Sequence, residues 1–269
     1  MTTHIDELMT FLSGSITPFH AVEVMAKTLQ GAGFEQLDQF DAVRMTPGKG
    51  YFVVHQGSSL MALRAGQSGV EAGLRLVGAH TDSPNLSVKP NPVKGRDGCI
   101  QLGVDVYGGA LLNPWFDRDL GMAGRVTLLT ADNTLLTTLF DTARAVAVIP
   151  SLAIHLDREA NSQRSINPQK DVVPLAMLGE HQQYDLKAWL AEELARADSQ
   201  WQGARVMDYE LSLYDTQPPN QIGIDGDFIA SARLDNLLSC FAGMRALIDA
   251  DDAEWSLFVA TDHEEVGSA

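Results

Sequence analysis

The feature that most constrains the fold is an α/β pattern that is interrupted and later resumed. The segment LRLVGAH (74–80) reads as an apolar strand, while SARLDNLLSCFAGMRALIDA (231–250) and SLFVA (256–260) read as a helix and a further strand. A long stretch of different texture separates them. Strand, helix and strand divided by an insertion predict one α/β domain that is split in the sequence and reassembled in space.

The segments that flank the insertion carry clear helix and strand signals. Apolar residues predict a first helix around Leu8–Leu12, and Thr17 before Pro18 predicts the cap and first position of a second. Three short strands follow, and the last, LRLVGAH, is apolar enough to be buried on both faces. In the later helix Asp235 stands where an N-cap is expected. Its predicted buried stripe consists of Leu237, Phe241, Met244 and Ile248.

The insertion has the composition of a β-rich domain. Between about Pro90 and Ala230 short strand-like runs alternate with glycine, proline and asparagine, and a helical period is clear in DLKAWLAEELARA. The strand-like runs are IQLGVDVYG, RVTLLTA, TLLTTLF and ARAVAVIP. We therefore predict a mixed-sheet α/β domain formed by residues 1–90 and 231–269, with a β-rich domain inserted at 91–230.

Composition excludes several classes of partner. With 19 basic and 35 acidic residues the net charge is -16, which disfavours nucleic acid and anionic membranes as partners. The beginning of the chain lacks the pattern of a signal peptide, and no apolar run approaches the length of a membrane span. Two cysteines, Cys99 and Cys240, do not form a disulfide framework, so the cytoplasm is the expected compartment.

Three element ends carry residues that can bind metal. His80 and Asp82 follow the strand at 74–80, and the Asp82 carboxylate could accept a hydrogen bond from the His80 ring and so orient it. Asp235 opens a helix, and its two oxygens could bridge two cations, an arrangement that recurs in aminopeptidases. Glu264 and Glu265 leave the last strand in different directions, so one could bind metal while the other moves a proton.

Each of these residues also has an ordinary structural explanation. Histidine often ends a strand, aspartate before serine and proline starts turns, and aspartate caps helices without any further role. Two adjacent glutamates are usually a solvated loop. The functional interpretation is favoured by coincidence, because all three ends belong to the same split α/β domain.

Six segments occur along the chain in a recognisable order: TPFHAVEVMA, GAHTDSPNLSVKPNP, VYGGALLNPWFDRDLGMAGRV, IPSLAIHLDR, ASARLDNLLSC and TDHEEVGSA. Together they resemble the aspartyl aminopeptidase family of dinuclear zinc metallopeptidases over nearly the whole chain. The resemblance implies two Zn²⁺ per subunit, with Co²⁺ or Mn²⁺ as alternatives, and an unblocked peptide as substrate. The first residue of that peptide would be acidic, and the attacking water would be activated by the metal pair.

The resemblance also implies a role for each candidate residue. His80 would bind one zinc, Asp235 would bridge both, and Glu265 would bind the second. Glu264 would be the general base and Asp82 would orient the site. The Asp235–Asn236 peptide bond is expected to be cis.

The same resemblance implies how the subunits assemble and whether this chain contains all of the metal ligands. The β-rich segment would be a dimerisation domain, dimers would assemble into dodecamers, and His155 would reach the neighbouring subunit's active site. Two zinc ions with about four ligands each need roughly eight coordination positions, and the assigned residues leave about two unfilled. Further ligands are expected beyond Ala269.

Two other interpretations stay open. The same fold and metals could serve a carboxypeptidase or an amide deacylase, since related folds host both. The 269-residue form could instead be a catalytically inert, truncated or assembly subunit.

Overall fold

The computed structural model describes residues 3–40, 44–179 and 184–266. Its helices, in chain order, are α1 (His4–Gly14), α2 (Pro18–Gly31), α3 (Leu186–Ala197) and α4 (Leu234–Asp249). The first strands are β1 (Glu35–Gln36), β2 (Gly50–His55), β3 (Ser59–Arg64), β4 (Leu74–His80), β5 (Asn85–Arg96), β6 (Cys99–Tyr107) and β7 (Leu120–Leu129). The remaining strands are β8 (Leu135–Asp141), β9 (Leu175–Leu178), β10 (Arg205–Asp215), β11 (Asn220–Ile222), β12 (Phe228–Ala230) and β13 (Trp255–Thr261).

The chain divides into two compact units. The first contains the residues up to Ser83 and those from Pro218 onward, and the second runs from Pro84 to Gln217. The domain boundaries after residues 90 and 230 were inferred from residue composition alone. They differ from this division of the structure into units and stay a prediction.

A mixed five-stranded sheet forms the centre of the first unit. Its strand order is β1-β2-β3-β13-β4. β13 pairs antiparallel with β3 and parallel with β4, so the strand that follows the insertion joins the strand that precedes it. The predicted α/β fold, split in sequence and reassembled in space, is confirmed.

Three helices pack on one face of this sheet. Phe52, Ala62 and Phe258 lie side by side on that face, because they are paired across β2, β3 and β13. They share one buried cluster with α1, α2 and α4. Full burial of a large apolar side chain contributes about 1.5–3 kcal/mol, so this layer stabilises the unit. The stripe predicted on α4 is confirmed at Leu237, Phe241 and Met244, whereas Ile248 is only half-buried.

The prediction that LRLVGAH is buried on both faces is wrong for the described part of the first unit. Leu74, Leu76 and Val77 are 45%, 61% and 46% exposed. The reason is that β4 is the last strand in the sheet order and is contacted by α4 on one face. Apolar content alone does not reveal whether a strand is central or at an edge.

Local signals explain how the first two helices begin. Thr3 and Asp6 form a reciprocal capping box at α1. Pro18 occupies the first turn of α2, as predicted, but Thr17 makes no side-chain cap there. The Thr17 hydroxyl lies 2.8 Å from Nδ1 of His20 instead.

The second unit is β-rich, as the sequence predicted. Its six-stranded sheet has the order β8-β7-β10-β5-β6-β9, and every neighbouring pair is antiparallel. Helix α3 begins at the cap Asp185 and buries Leu186, Leu190 and Leu194 in the same core. The run ARAVAVIP, expected as a strand, takes part only through isolated bridges, such as Leu120 with Ala147. None of the described helices is both long and apolar enough to cross a membrane.

We expect the substitution Gly243→Ala to destabilise the first unit. A Cβ at Gly243 would lie 2.7 Å from the Phe258 ring, so α4 would have to move away from β13. Overpacking of this kind costs about 1–3 kcal/mol, which a urea unfolding curve measures. Gly31→Ala is the control, since a Cβ there meets nothing within 4 Å. An equal effect of the two substitutions would contradict the prediction.

Candidate metal centre

The candidate site lies where β4 and β13 end. Because the two strands are parallel, they end at the same edge of the sheet, with Thr261 opposite His80. The next residue, Thr81, donates its backbone N–H to the carbonyl of Thr261 at 2.8 Å. Its buried hydroxyl donates to the carbonyl of Ser58 at 2.7 Å. The segments that follow the two strands therefore start side by side.

The His80 ring is oriented with Nε2 toward the carboxylates. Its Nδ1 lies 3.0 Å from the carbonyl oxygen of Asp82, and because a carbonyl only accepts, Nδ1 carries the hydrogen. In the neutral ring Nε2 then has a free lone pair. Nε2 lies 3.4 Å from Oδ1 of Asp235 and 3.7 Å from Oε2 of Glu264. The ring is thus oriented as a metal ligand requires.

Helix α4 holds the backbone of His80. The His80 N–H donates to Oδ1 of Asn236 at 3.3 Å, and its carbonyl accepts from the Cys240 thiol at 3.1 Å. Burial, followed by the charge of Asp82, raises the pKa of Cys240 to about 12, so the thiol stays protonated and can donate. Sequence reasoning missed both residues, although their spacing of four places them on one helix face.

Asp235 lies in the first turn of α4 but has a non-helical backbone, with φ -85° and ψ 110°. The Asp235–Asn236 peptide bond is cis, which confirms the expectation drawn from the resemblance. The hydroxyl of Ser83 donates to the Asp235 carbonyl at 2.8 Å. The prediction of Asp235 as N-cap is wrong, because the residue before the helix is Arg233 in a left-handed conformation. The Asp235 side chain is 81% exposed and reaches His80.

Glu264 and Glu265 lie in the turn after β13, beside the imidazole. One ligand atom from each of His80, Glu264 and Glu265 lies within 4.8 Å of the other two. Glu264 is exposed, whereas Glu265 and His80 are half-buried. Both glutamates can therefore reach one ion, and the division of roles between them stays a prediction.

His155 belongs to the second unit and is exposed, in a segment of turns. Its proposed contact with a neighbouring subunit also stays a prediction.

The donor set fits a divalent cation. One imidazole nitrogen and the carboxylates of Asp235, Glu264 and Glu265 are ligands that zinc accepts in proteins. Carboxylates brought this close repel one another unless a positive charge lies between them. A bound cation would therefore stabilise the arrangement that the backbone imposes.

Comparison with known proteins identifies the family of this chain. The family model described as "Aminopeptidase I zinc metalloprotease (M18)" matches residues 11–269. The chain belongs to this family. A probable M18 family aminopeptidase 2 of Pseudomonas entomophila is 51% identical over 263 residues, which cover 97% of this chain and 61% of the relative.

Solved structures of the family share the fold. The mApe1 structure of Chaetomium thermophilum is 30% identical, with a TM-score of 0.84 over 97% of this chain and 62% of that one. The mApe1 dodecamer of S. cerevisiae is 25% identical, with a TM-score of 0.78 over 97% of this chain and 61% of that one. This chain thus spans about three fifths of the length of the relatives that it matches.

Removing a ligand should weaken metal binding selectively. We expect His80→Ala and Asp235→Ala each to lower Zn²⁺ affinity at least about tenfold, measured by calorimetric titration. His4→Ala is the matched control, since its ring lies on α1 beside Glu7. Equal Zn²⁺ affinity in the wild type and all three variants would show that the cluster does not bind the ion.

Proposed function

We propose that this chain contributes the metal site of an aminopeptidase that releases the first residue of unblocked peptides, with two Zn²⁺ per subunit. The observation that carries the proposal is the convergence of His80, Asp235, Glu264 and Glu265 at the ends of β4, α4 and β13. Membership of a zinc aminopeptidase family supports the same reaction.

Exposure and position suggest which of these residues bind metal and which one acts as the general base. His80 Nε2 and Glu265, both half-buried, are the fixed ligands, and Asp235 approaches His80 with a carboxylate that can bridge. When bound, zinc polarises the scissile carbonyl and makes water acidic enough to deprotonate near neutral pH. Glu264 is 61% exposed and lies at the rim of the cluster, so it can take a proton from water and pass it to the leaving amine.

Completeness of the site is part of the proposal. Two zinc ions need about eight coordination positions, more than the side chains of His80, Asp235 and Glu265 offer. We propose that further ligands come from polypeptide corresponding to the part of the relatives that this chain does not span. The resemblance to the aspartyl aminopeptidase family supports a preference for an acidic first residue. The two free cysteines support a cytoplasmic location.

Exchanging each glutamate for its amide separates base from ligand. We expect Glu264→Gln to lower kcat about 10²- to 10⁴-fold while the bound zinc stays the same. Glu265→Gln should lower the zinc content itself. The control is Glu254→Gln, because Glu254 pairs with Arg75 just before the start of β13. Two quantities are measured for each variant: its zinc content and its hydrolysis of peptides that begin with Asp, Glu or Leu. Each peptide is tested with a free and with an acetylated amino terminus.

The assay is run on this chain and on a hybrid that adds the unmatched part of the Pseudomonas entomophila relative. Activity restricted to the hybrid supports the proposal of outside ligands. Cleavage of acetylated peptides alone indicates a carboxypeptidase or deacylase. A hybrid that holds two zinc ions and releases no residue from any free peptide would overturn the aminopeptidase proposal.

We also propose that the protein forms homo-oligomers, dimers that assemble into dodecamers, with His155 at a subunit contact. The segment around His155 exposes Leu152, Ile154 and Leu156 by 63%, 52% and 68%. Clustered exposed apolar side chains are typical of protein contacts. One of the related structures is a dodecamer.

A negative charge introduced in the segment around His155 should weaken the proposed homo-oligomer. We expect Leu156→Asp to shift the sedimentation profile toward smaller species, because burying an unpaired carboxylate in an interface is unfavourable. Leu135→Asp is the control, at a similarly exposed site on β8. Identical profiles of wild type and Leu156→Asp would count against this contact.

A further inference from the structure

Asp82 has a buried carboxylate that receives two consecutive backbone N–H groups. The residue is 1% exposed. Its Oδ1 accepts from the N–H of Glu264 at 3.2 Å, and its Oδ2 accepts from the N–H of Glu265 at 2.9 Å. A buried charge is costly unless it is hydrogen-bonded, and bonds to an ionised acceptor are among the stronger ones.

The carboxylate of Asp82 is less well placed to orient the His80 ring than sequence reasoning assumed. Nδ1 of His80 lies 3.4 Å from Oδ1 of Asp82 but 3.0 Å from the carbonyl oxygen of the same residue. The backbone carbonyl therefore supplies the closer acceptor for the ring. The carboxylate makes its closer contacts with the turn that carries the glutamates.

We propose that Asp82 is the positioning residue that fixes the backbone of Glu264 and Glu265 and so directs both side chains toward His80. The proposal rests on the proposed function, in which this pair binds metal and moves a proton. Two carboxylate oxygens match two adjacent N–H donors. An asparagine has the same shape but offers one acceptor oxygen, and its NH₂ group would face the second N–H.

The start of the same turn has a separate anchor. The N–H of Asp262 donates to the hydroxyl of Ser59 at 2.9 Å. Ser59 lies on β3 and Asp82 follows β4, so the two anchors can be removed independently. Ser59→Ala is therefore a matched control for Asp82→Asn.

Amide hydrogen exchange, resolved by residue with NMR on the full chain without metal, tests the proposal directly. In the wild type the amides of Glu264 and Glu265 should be protected, although the Glu264 side chain is 61% exposed. Asp82→Asn should accelerate exchange at these two amides by about tenfold or more, since a hydrogen bond to a charged group is lost. Ser59→Ala should accelerate exchange at Asp262 and leave the other two unchanged.

Zinc affinity gives a second readout. With Zn²⁺ alone as the probe, Asp82→Asn should bind about 10- to 100-fold more weakly, as is usual when a group that orients ligands is removed. A purely structural role would accelerate exchange throughout the first unit. The proposed role confines the change to the turn.

Accelerated exchange throughout the first unit in Asp82→Asn would overturn the proposal, and so would any of three further results. The wild-type amides of Glu264 and Glu265 could exchange at unprotected rates, a result that needs no variant and decides the matter if Asp82→Asn does not fold. Asp82→Asn could leave their exchange unchanged, or Ser59→Ala could accelerate it equally. None of these measurements involves a peptide, so a protein that passes them without releasing residues would contradict only the aminopeptidase proposal.

Discussion

The parallel pairing of β4 with β13 is the constraint on which the site depends. The two strands are separated by the whole insertion, yet their register places Thr261 opposite His80. A slip of one residue would turn every side chain of one strand to the other face. A slip of two would move Asp82 away from the glutamates by roughly 6–7 Å. Backbone pairing within the sheet therefore brings Asp82 and the two glutamates to the same edge, where the Asp82 carboxylate accepts from both of their N–H groups.

The sequence predicted which element ends carry the side chains that the structure brings together, because each end follows a local pattern. His80 ends an apolar run, Asp235 opens an amphipathic helix, and the glutamates follow a strand; each can be recognised without knowing its neighbours. Strand order could not be read in this way, and the edge position of β4 among the described strands was missed. The partners of the Asp82 carboxylate were missed for a similar reason, since they lie 182 and 183 residues away. A local sequence pattern can suggest that Asp82 interacts with His80, which is two positions earlier. It cannot suggest an interaction with Glu264 or Glu265, which only the strand register brings beside Asp82.

Electrostatics gives the cluster its direction. The carboxylates of Asp235 and Glu264 approach the same nitrogen of His80, at 3.4 and 3.7 Å. The Asp82 carbonyl holds the hydrogen on the other nitrogen. Acceptors thus face a single point from different elements, and such an arrangement favours a cation over any anion. The negative charge of the whole protein adds to this preference at long range.

The core and the site are coupled through α4. Gly243 allows the helix to approach closely, because a Cβ there would lie 2.7 Å from Phe258 and 3.2 Å from Val77. The same close approach brings Cys240, one turn earlier, within 3.1 Å of the His80 carbonyl. A larger residue at position 243 would therefore move the helix that holds the His80 backbone as well as opening the core. The packing of Gly243 against Phe258 therefore contributes both to the stability of the first unit and to the position of its imidazole, so a substitution far from the carboxylates can still weaken metal binding.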